Sequence, residues 1–255
     1  MQLTFYKYQG TGNDFVIVDN RTEVVSKNNT KLVRQLCDRK FGIGADGLIL
    51  LEDSEEGLDF RMIYFNADGN ESSMCGNGGR CIIAFAKYLG IIGDQCAFSA
   101  IDGIHEGRIS EDGTVGLKMN DVRDIDQNTE FSFLNTGSPH HIIFSDGVKD
   151  IDVKKEGAEV RYSERYAGVG GTNVNFVETV DPASLKIRTY ERGVENETLS
   201  CGTGATAAAI AAYAKGMVNS NSIKLETEGG DLRVDFEARE QGFSNIWLVG
   251  AAQFV

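Results

Sequence analysis

The feature that most constrains this chain is a short motif that occurs twice, once in each half. Cys75 opens the sequence Cys-Gly-Asn-Gly and Cys201 opens Cys-Gly-Thr-Gly, and an apolar run follows each of them. The two cysteines are 126 residues apart in a chain of 255 residues. In both copies a glycine, Gly90 or Gly216, stands fifteen residues after the cysteine, where a helix commonly ends in a left-handed cap. The repeat therefore predicts a cysteine directly before a buried helix in each half.

Other segments keep nearly the same spacing, which extends the repeat over most of the chain. Residues 11–13 match 136–138, residues 42–52 match 168–178, and Tyr64 matches Tyr190, at offsets of 125 or 126. Each half combines short alternating strands with one helix that is apolar on nearly all sides and is therefore buried. We expect an α/β (α+β) fold of two pseudo-symmetric halves, each a curved, mainly antiparallel sheet wrapped around a central buried helix.

The domain boundaries follow from the same repeat. We expect an N-terminal half at residues 1–119, which carries Cys75, and a C-terminal half at residues 120–249, which carries Cys201. Residues 250–255 are expected to return to the N-terminal half as a strand. The acidic stretch from residue 120 to residue 130 is predicted to link the two halves.

Charge and hydropathy exclude several classes of protein. The net charge is −13 and no basic run stands out, so a nucleic-acid or anionic-membrane partner is not expected. No apolar run approaches the roughly 18 residues that a membrane span needs. The first seven residues lack the apolar core of a secretory signal. We therefore expect a cytoplasmic protein that acts on a small molecule.

The five cysteines do not suggest a disulfide framework or a metal site. Their number is odd, no Cys-x-x-Cys pair occurs, and only three histidines are present. Cys37, Cys81 and Cys96 are expected to be small buried hydrophobic residues. The Gly-x-Gly at residues 42–44 precedes a strand rather than following one, which argues against a dinucleotide site. No metal and no other cofactor is predicted.

Cys75 and Cys201 have a different interpretation, because both are duplicated at a helix start. Unsatisfied N–H groups and the positive end of the helix dipole lower the pKa of a cysteine in that position. Symmetric halves would place the two sulfurs on opposite sides of one carbon atom, with a carboxylate held at the helix starts. One thiolate would then remove an α-proton while the other thiol returns one to the opposite face. This chemistry is a racemisation or epimerisation without a cofactor.

The ordered motifs of the chain resemble the diaminopimelate epimerase family over nearly its whole length. The motifs that carry the resemblance are Gly12-Asn13-Asp14-Phe15, Gly42-Ile43-Gly44-Ala45-Asp46-Gly47, Phe65-Asn66-Ala67-Asp68-Gly69, Cys75-Gly76-Asn77-Gly78-Gly79-Arg80-Cys81, Ser138-Pro139-His140, Tyr190-Glu191-Arg192-Gly193 and Cys201-Gly202-Thr203-Gly204. The resemblance implies that Cys75 and Cys201 are the acid and base that interconvert LL- and meso-diaminopimelate. It also implies a homodimer.

Further roles follow from the resemblance alone. The carboxylate at the reacting centre would be bound by Gly76, Asn77, Gly202 and Thr203, with Asn13 nearby. The distant amino-acid end of the substrate would be bound by Asn66, Asn173, Glu191 and Arg192, with Ser138 close to it. His140 and Glu191 would tune the pKa values of the thiols.

Two positions depart from the family, and two other functions stay open. Ser138 stands where many members have asparagine, and Gly47 stands where some have a glutamine that touches the substrate. A proline-racemase-like enzyme would also use paired cysteines, but it has no need of Glu191 and Arg192 for a second amino-acid end. Enzymes of the phenazine-biosynthesis type lack the cysteine pair. A non-enzymatic thiol redox or binding protein would use the same two sulfurs.

Overall fold

The computed structural model describes residues 3–54 and 57–255, and it divides into two compact units. Unit 1 comprises Met1–Leu117 and Gly250–Val255, and unit 2 comprises Lys118–Val249. Met1 and Gln2, the start of the segment predicted to lack a signal sequence, lie outside the described residues. Among the described residues, no helix is long and apolar enough to cross a membrane.

Unit 1 is built from a sheet, a short amphipathic helix and a longer buried helix. Its elements are β1 (Tyr6–Gly10), β2 (Asn13–Asp19), α1 (Thr30–Cys37), β3 (Gly47–Glu52), β4 (Phe60–Asn66), β5 (Glu71–Ser72), α2 (Gly76–Tyr88), β6 (Gln95–Ala100), β7 (Gly103–Ile109), β8 (Val115–Lys118) and the late strand β18 (Gln253–Phe254).

The strands of unit 1 pair mainly in the antiparallel sense. β1 pairs with β2 and with β18, β3 with β4, β4 with β5, and β7 with both β6 and β8. The parallel pairs are β2 with β3, joined through α1, and β4 with β6, joined through α2. Helix α1 starts at a cap in which the Asn29 side chain accepts a hydrogen bond from the Leu32 N–H at 3.1 Å.

Unit 2 repeats this plan. Its elements are β9 (Ile125–Gln127), β10 (Ser132–Asn135), β11 (Pro139–Phe144), a single 3₁₀ turn (Val148–Asp150), α3 (Val153–Arg161), α4 (Glu164–Ala167), β12 (Asn173–Asp181), β13 (Ser184–Glu191), β14 (Asn196–Thr198), α5 (Gly202–Ala214), β15 (Ser222–Thr227), β16 (Gly230–Arg239) and β17 (Gly242–Gly250).

The pairings of unit 2 correspond to those of unit 1. β11 pairs with β12 in parallel, as β2 does with β3, and β13 pairs with β15 in parallel, as β4 does with β6. The antiparallel pairs of unit 2 include β9 with β10, β10 with β11, β12 with β13, β13 with β14 and β15 with β16. The predicted fold class, two halves of one mainly antiparallel plan around a buried helix, is confirmed.

The two central helices end as the sequence predicts. Gly90 and Gly216 both have a φ of +71°, and each follows the last turn of its helix. The N–H group after each glycine, on Ile91 or Met217, bonds back to a carbonyl five residues earlier at 3.0 Å. Within α5, the hydroxyl of Thr206 bonds to the Gly202 carbonyl at 3.0 Å, so this polar side chain fits an otherwise apolar helix.

Two features of unit 2 differ from the expected outline. The acidic stretch predicted as a linker contains the short strand β9, which pairs with β10. Helices α3 and α4 connect β11 to β12, and the sequence analysis did not predict either of them. Asp152 caps α3 through the Lys155 N–H at 3.1 Å. A Cβ atom on Gly157, in the middle of α3, would lie 2.4 Å from Cβ of Tyr190, so glycine allows this helix to pack on the sheet.

Candidate active site

Both repeated cysteines occupy the residue directly before a central helix. Cys75 is the N-cap of α2 with φ −93° and ψ 131°, and Cys201 is the N-cap of α5 with φ −127° and ψ 110°. Both are half-buried, and the first helical residue after each is a glycine. The first N–H groups of a helix have no partner within that helix. Each unit thus places a thiol beside a helix start that suits an anionic group.

In unit 1, the side chain of Asn13 connects Cys75 to an acidic residue. Nδ2 of Asn13 donates to the Asp46 carboxylate at 2.5 Å, and a carboxylate accepts only. Oδ1 of Asn13 therefore faces the other way, where it lies 3.6 Å from Sγ of Cys75 and 3.5 Å from Nδ2 of Asn77. The structure brings together three predicted site residues, Asn13, Cys75 and Asn77.

The fully buried Arg80 supports the start of helix α2. Its guanidinium donates to the hydroxyl of Thr11 and to Oδ1 of Asn77, each at 3.0 Å, and to the Gly76 carbonyl at 3.3 Å. Because Oδ1 of Asn77 accepts from Arg80, Nδ2 of Asn77 is turned toward Asn13. Burial lowers the pKa of Arg80, while the neighbouring Cys81 and Cys75 act in the opposite direction.

In unit 2, the group beside Cys201 is a hydroxyl. Oγ1 of Thr203 lies 3.5 Å from Sγ of Cys201 and 2.9 Å from Nε2 of His140. Ser138 joins the same group, with its Oγ 3.0 Å from Nε2 of His140 and 3.4 Å from Oγ1 of Thr203. The structure brings Ser138, His140, Cys201 and Thr203 together, although the resemblance assigns Ser138 to the distant end of the substrate.

His140 is neutral in this environment. Complete burial, together with the nearby Arg192 guanidinium that disfavours a second positive charge, lowers the pKa of its imidazole to about 3. Its Nδ1 lies 3.0 Å from Nδ2 of Asn175. An imidazolium beside Cys201 is therefore not the form in which this residue acts at neutral pH.

Asn173 links this group to the loop after β13. Nδ2 of Asn173 donates to Oγ of Ser138 at 3.0 Å and to the Pro139 carbonyl at 2.9 Å. Its Oδ1 accepts from the backbone N–H of Arg192 at 2.9 Å. The side chain of Arg192 reaches the Gly171 carbonyl at 3.4 Å. Asn173 thus fixes the backbone position from which Arg192 extends.

The remaining predicted residues lie at the ends of strands. Asn66 ends β4 and is exposed, and its N–H closes a turn with the Asn70 carbonyl at 3.0 Å. Glu191 ends β13, and burial raises the pKa of its carboxyl. Gly47 cannot take a side chain without movement, because a Cβ atom there would lie 2.5 Å from both the Phe65 carbonyl oxygen and Cε2 of Tyr64.

The other three cysteines are buried, as the sequence analysis expects. Burial raises the pKa of Cys37 to about 11 and those of Cys81 and Cys96 to about 12. Thiols with such values are almost wholly protonated near pH 7. Their chemistry therefore differs from that expected at the two helix starts.

Sequence comparison places the chain among known proteins. A family model described as "Diaminopimelate epimerase" matches residues 5–124 and 132–255. The protein named diaminopimelate epimerase from Flavobacterium psychrophilum is 54% identical over 253 residues, which is 99% of this chain and 98% of that protein. The protein of the same name from Chlorobaculum tepidum is 42% identical, with 96% of each chain covered. The chain belongs to the diaminopimelate epimerase family, a family of isomerases.

Solved structures with low sequence identity share the fold of this family member. A phenazine biosynthesis protein of the PhzF family from Bacillus anthracis has a TM-score of 0.76 at 14% identity, covering 100% of this chain and 98% of that one. A hydroxyproline epimerase from Agrobacterium vitis has a TM-score of 0.64 at 14% identity, covering 98% and 90%. At such identities these likenesses concern the fold alone.

The structure adds residues to this epimerase site that the sequence analysis did not select. They are Thr11, Asp46 and Arg80 in unit 1, and Asn175 and Thr189 in unit 2. One sequence signal was present for Asn175, which stands between the apolar residues Val174 and Phe176 in the segment that matches residues 42–52. A buried amide needs partners, so its position alone indicated a polar network.

Proposed function

We propose that this protein converts LL-2,6-diaminopimelate into meso-diaminopimelate, with the thiols of Cys75 and Cys201 as proton acceptor and proton donor. The observation that carries the proposal is the matched position of the two cysteines, each the N-cap of the buried central helix of its unit. Family membership supports the substrate, and it places the reaction in the biosynthesis of lysine and cell-wall precursors.

The proposed reaction needs no oxidant, reductant or cofactor. The thiolate of one cysteine accepts the α-proton, and the electron pair of the broken C–H bond is delocalised into the carboxylate. The N–H groups of Gly76, Asn77, Gly202 and Thr203 stabilise the charge that develops there. The thiol of the other cysteine then gives its proton to the opposite face. The configuration at carbon is inverted, and the thiolate has moved from one cysteine to the other.

The distant amino-acid end of the substrate is proposed to bind at the loop after β13 and at nearby strand ends. Arg192 would hold the second carboxylate, and the hydrogen bond from its N–H to Asn173 supports this role. Glu191, Asn66 and Ser138 would complete that end of the pocket. We also propose that His140 and Glu191 tune the thiols, His140 through its contact with Thr203.

Assembly and location belong to the same proposal. We propose a homodimer, which is supported by an aromatic patch on unit 1 where Tyr88 is 66% exposed and Phe254 is 65% exposed, both beside Tyr6. Sedimentation at micromolar concentration would test it. A reducing compartment, the cytoplasm, suits an enzyme with two reactive thiols. The domain division at residues 1–119, 120–249 and 250–255 stays part of this proposal.

The decisive experiment follows the α-hydrogen. Reduced protein incubated with LL-diaminopimelate in deuterated water should yield the meso form with deuterium at the inverted carbon. Cys75→Ala and Cys201→Ala should each abolish this conversion, whereas Cys37→Ala is the matched control and should retain it. Elimination of HX from a halogenated analogue needs one base only, so each single variant should retain it for the stereoisomer whose α-hydrogen faces the remaining cysteine. Near-normal epimerisation by either single variant would exclude the two-base mechanism. Deuterium incorporation into proline but not into diaminopimelate would indicate a proline-racemase-like enzyme.

A further inference from the structure

A chain of buried polar side chains in unit 2 ends at Cys201. Thr189 donates its hydroxyl proton to Oδ1 of Asn175 at 3.0 Å, and Nδ2 of Asn175 lies 3.0 Å from Nδ1 of His140. Nε2 of His140 lies 2.9 Å from Oγ1 of Thr203, which is 3.5 Å from Sγ of Cys201. Thr189 and Asn175 are 3% and 0% exposed, so water does not replace these contacts.

The partners of Asn175 fix the orientation of its amide. Its Nδ2 also lies 3.3 Å from the backbone carbonyl of His141, and a carbonyl only accepts. The hydroxyl of Thr189 meets Oδ1 on the other side. Nδ2 of Asn175 is therefore the donor toward His140, so Nδ1 of the imidazole accepts. The single ring proton of the neutral imidazole is then on Nε2.

The position of that proton decides the direction of the next hydrogen bond. With a proton on Nε2, His140 donates to the hydroxyl groups of Thr203 and Ser138, and Thr203 can direct its own proton to Sγ of Cys201. With the proton on Nδ1 instead, Nε2 would accept and would draw the Thr203 proton away from the sulfur. An O–H donor favours a thiolate over a thiol.

Unit 1 has no counterpart of this chain at the matching positions. At the offset of the repeat, Asn175 corresponds to Ile49 and His140 to Phe15, and both of these are fully buried apolar residues. A Cβ atom on Gly204 would lie 2.4 Å from Oδ1 of Asn175, as one on Gly78 would lie 3.2 Å from Cδ1 of Ile49. The polar chain is thus an addition to one copy of a shared architecture.

We infer that Asn175 and Thr189 are positioning residues that hold His140 as a neutral Nε2–H donor, and that this donor orients the Thr203 hydroxyl toward Cys201. The inference rests on the proposed function for its consequence in catalysis. It assigns His140 a fixed hydrogen-bond polarity rather than a role as a base. It also makes the two cysteines unequal, because this series of hydrogen bonds leads to Cys201 and not to Cys75.

The first test reads the tautomer directly and needs no activity. In the ¹⁵N-labelled wild-type protein at pH 7, NMR should show His140 with a protonated Nε2 and an unprotonated Nδ1. In Asn175→Asp, a carboxylate replaces the Nδ2 donor, so Nδ1 should become protonated. A wild-type His140 protonated on Nδ1 would overturn the inference, and so would an Asn175→Asp spectrum that is unchanged.

The second test reads the effect on the sulfur. In a Cys75→Ala background, Thr189→Val and Asn175→Leu should each slow alkylation of Cys201 by iodoacetamide at pH 7 by about 10- to 100-fold, the range for losing a hydrogen bond to a charged group. With both cysteines present, kcat should fall while KM changes little. Thr179→Val, on β12 with Asn175, is the control, because its buried hydroxyl has no partner among the described residues.

The outcomes of these tests separate the inference from the proposed function. Equal alkylation rates in Thr189→Val and Thr179→Val would overturn the inference even if the protein epimerises diaminopimelate. Thr189→Val is nearly isosteric, so this comparison stands if Asn175→Leu does not fold. If diaminopimelate proves inert, the tautomer and the alkylation rates still decide whether the chain directs a proton to Cys201.

Discussion

At the scale of single residues, we expect Arg192 to determine how well the proposed pocket distinguishes substrates. A guanidinium binds a carboxylate through two parallel hydrogen bonds, whereas an ammonium keeps only the charge. We expect Arg192→Lys to lower kcat/KM for diaminopimelate by about 30-fold to several thousand-fold, the effect of losing a contact to a buried charge. Steady-state kinetics with diaminopimelate, alanine and proline provide the measurement.

Ser138→Asn is the control for that experiment, because it introduces the asparagine that the family resemblance implies for this position. It should keep turnover and modestly lower KM for diaminopimelate. An Arg192→Lys enzyme as efficient as the wild type would show that this pocket does not recognise a second carboxylate. A wild type that prefers proline would lead to the same conclusion.

Gly47 is a position where packing, rather than chemistry, fixes the residue. A methyl group there would lie 2.5 Å from a backbone oxygen of the neighbouring strand and from the ring of Tyr64. We expect Gly47→Ala to lower the free energy of unfolding by about 1–3 kcal/mol. Denaturant unfolding measures this change. Gly93→Ala, which meets nothing within 4 Å, should stay within about 0.5 kcal/mol of the wild type. Equal losses in both variants would refute the packing argument.

At the scale of elements, strand β11 makes the stability of unit 2 depend on pH. Burial lowers the pKa of His140 to about 3 and that of His141 to about 4, with Arg165 adding to the effect on His141. The ordinary value of about 6.5 applies in the unfolded chain. Below that pH the histidines bind protons in the unfolded state but stay neutral in the folded state. The free energy of unfolding is therefore highest above about pH 6.5 and decreases as the pH falls.

The expected slope is about 1.4 kcal/mol per pH unit for each histidine, between about pH 6 and the folded pKa. Urea unfolding at pH 7 and pH 5 measures it. His141→Phe keeps an aromatic ring against Phe131 but removes one titrating group. The loss between pH 7 and pH 5 should therefore be about 2 kcal/mol smaller in this variant. A pH dependence identical to that of the wild type would mean that His141 is not held neutral.

The helices show which elements a sequence can predict. Helices α2 and α5 were predictable because a motif marks their start, an apolar run gives their burial and a glycine with positive φ ends them. Helix α3 was not, because its sequence is charged and contains Gly157, which lowers helix propensity. Only its contact with Tyr190 explains that glycine, and this contact joins segments distant in sequence.

The candidate site shows the same limit. Cys75, Cys201 and His140 stood in motifs, so sequence patterns selected them. Asn175 and Thr189 are opposite each other on paired strands, and their role depends on strand register and on which way an amide faces. The strand register and the direction of the amide are fixed only when the protein folds. A sequence pattern therefore selected the reacting groups, whereas the structure was needed to identify the groups that orient them.

At the scale of the whole molecule, the proposed mechanism predicts a reversible sensitivity to oxidation. Two thiols that act on one carbon atom can form a disulfide when no substrate separates them. Mild oxidant should abolish epimerase activity, and a dithiol should restore it. Mass spectrometry should then find a Cys75–Cys201 bridge. In Cys75→Ala, residual elimination of HX should resist the same oxidant. Wild-type activity that is indifferent to oxidant, or is lost irreversibly, would count against the facing arrangement.

The short strand β18 has a consequence for the order in which the molecule is made. It pairs with β1 through Tyr8 and Gln9, and the ring of Phe254 packs on Tyr8 at 5.5 Å. One edge of unit 1 is therefore completed by residues that a ribosome adds after all of unit 2. Until β18 is synthesised, β1 has an unpaired edge, which is a site for incorrect strand pairing. Unit 2 can already fold during that time. Unit 1 is thus synthesised first, but its sheet is completed last.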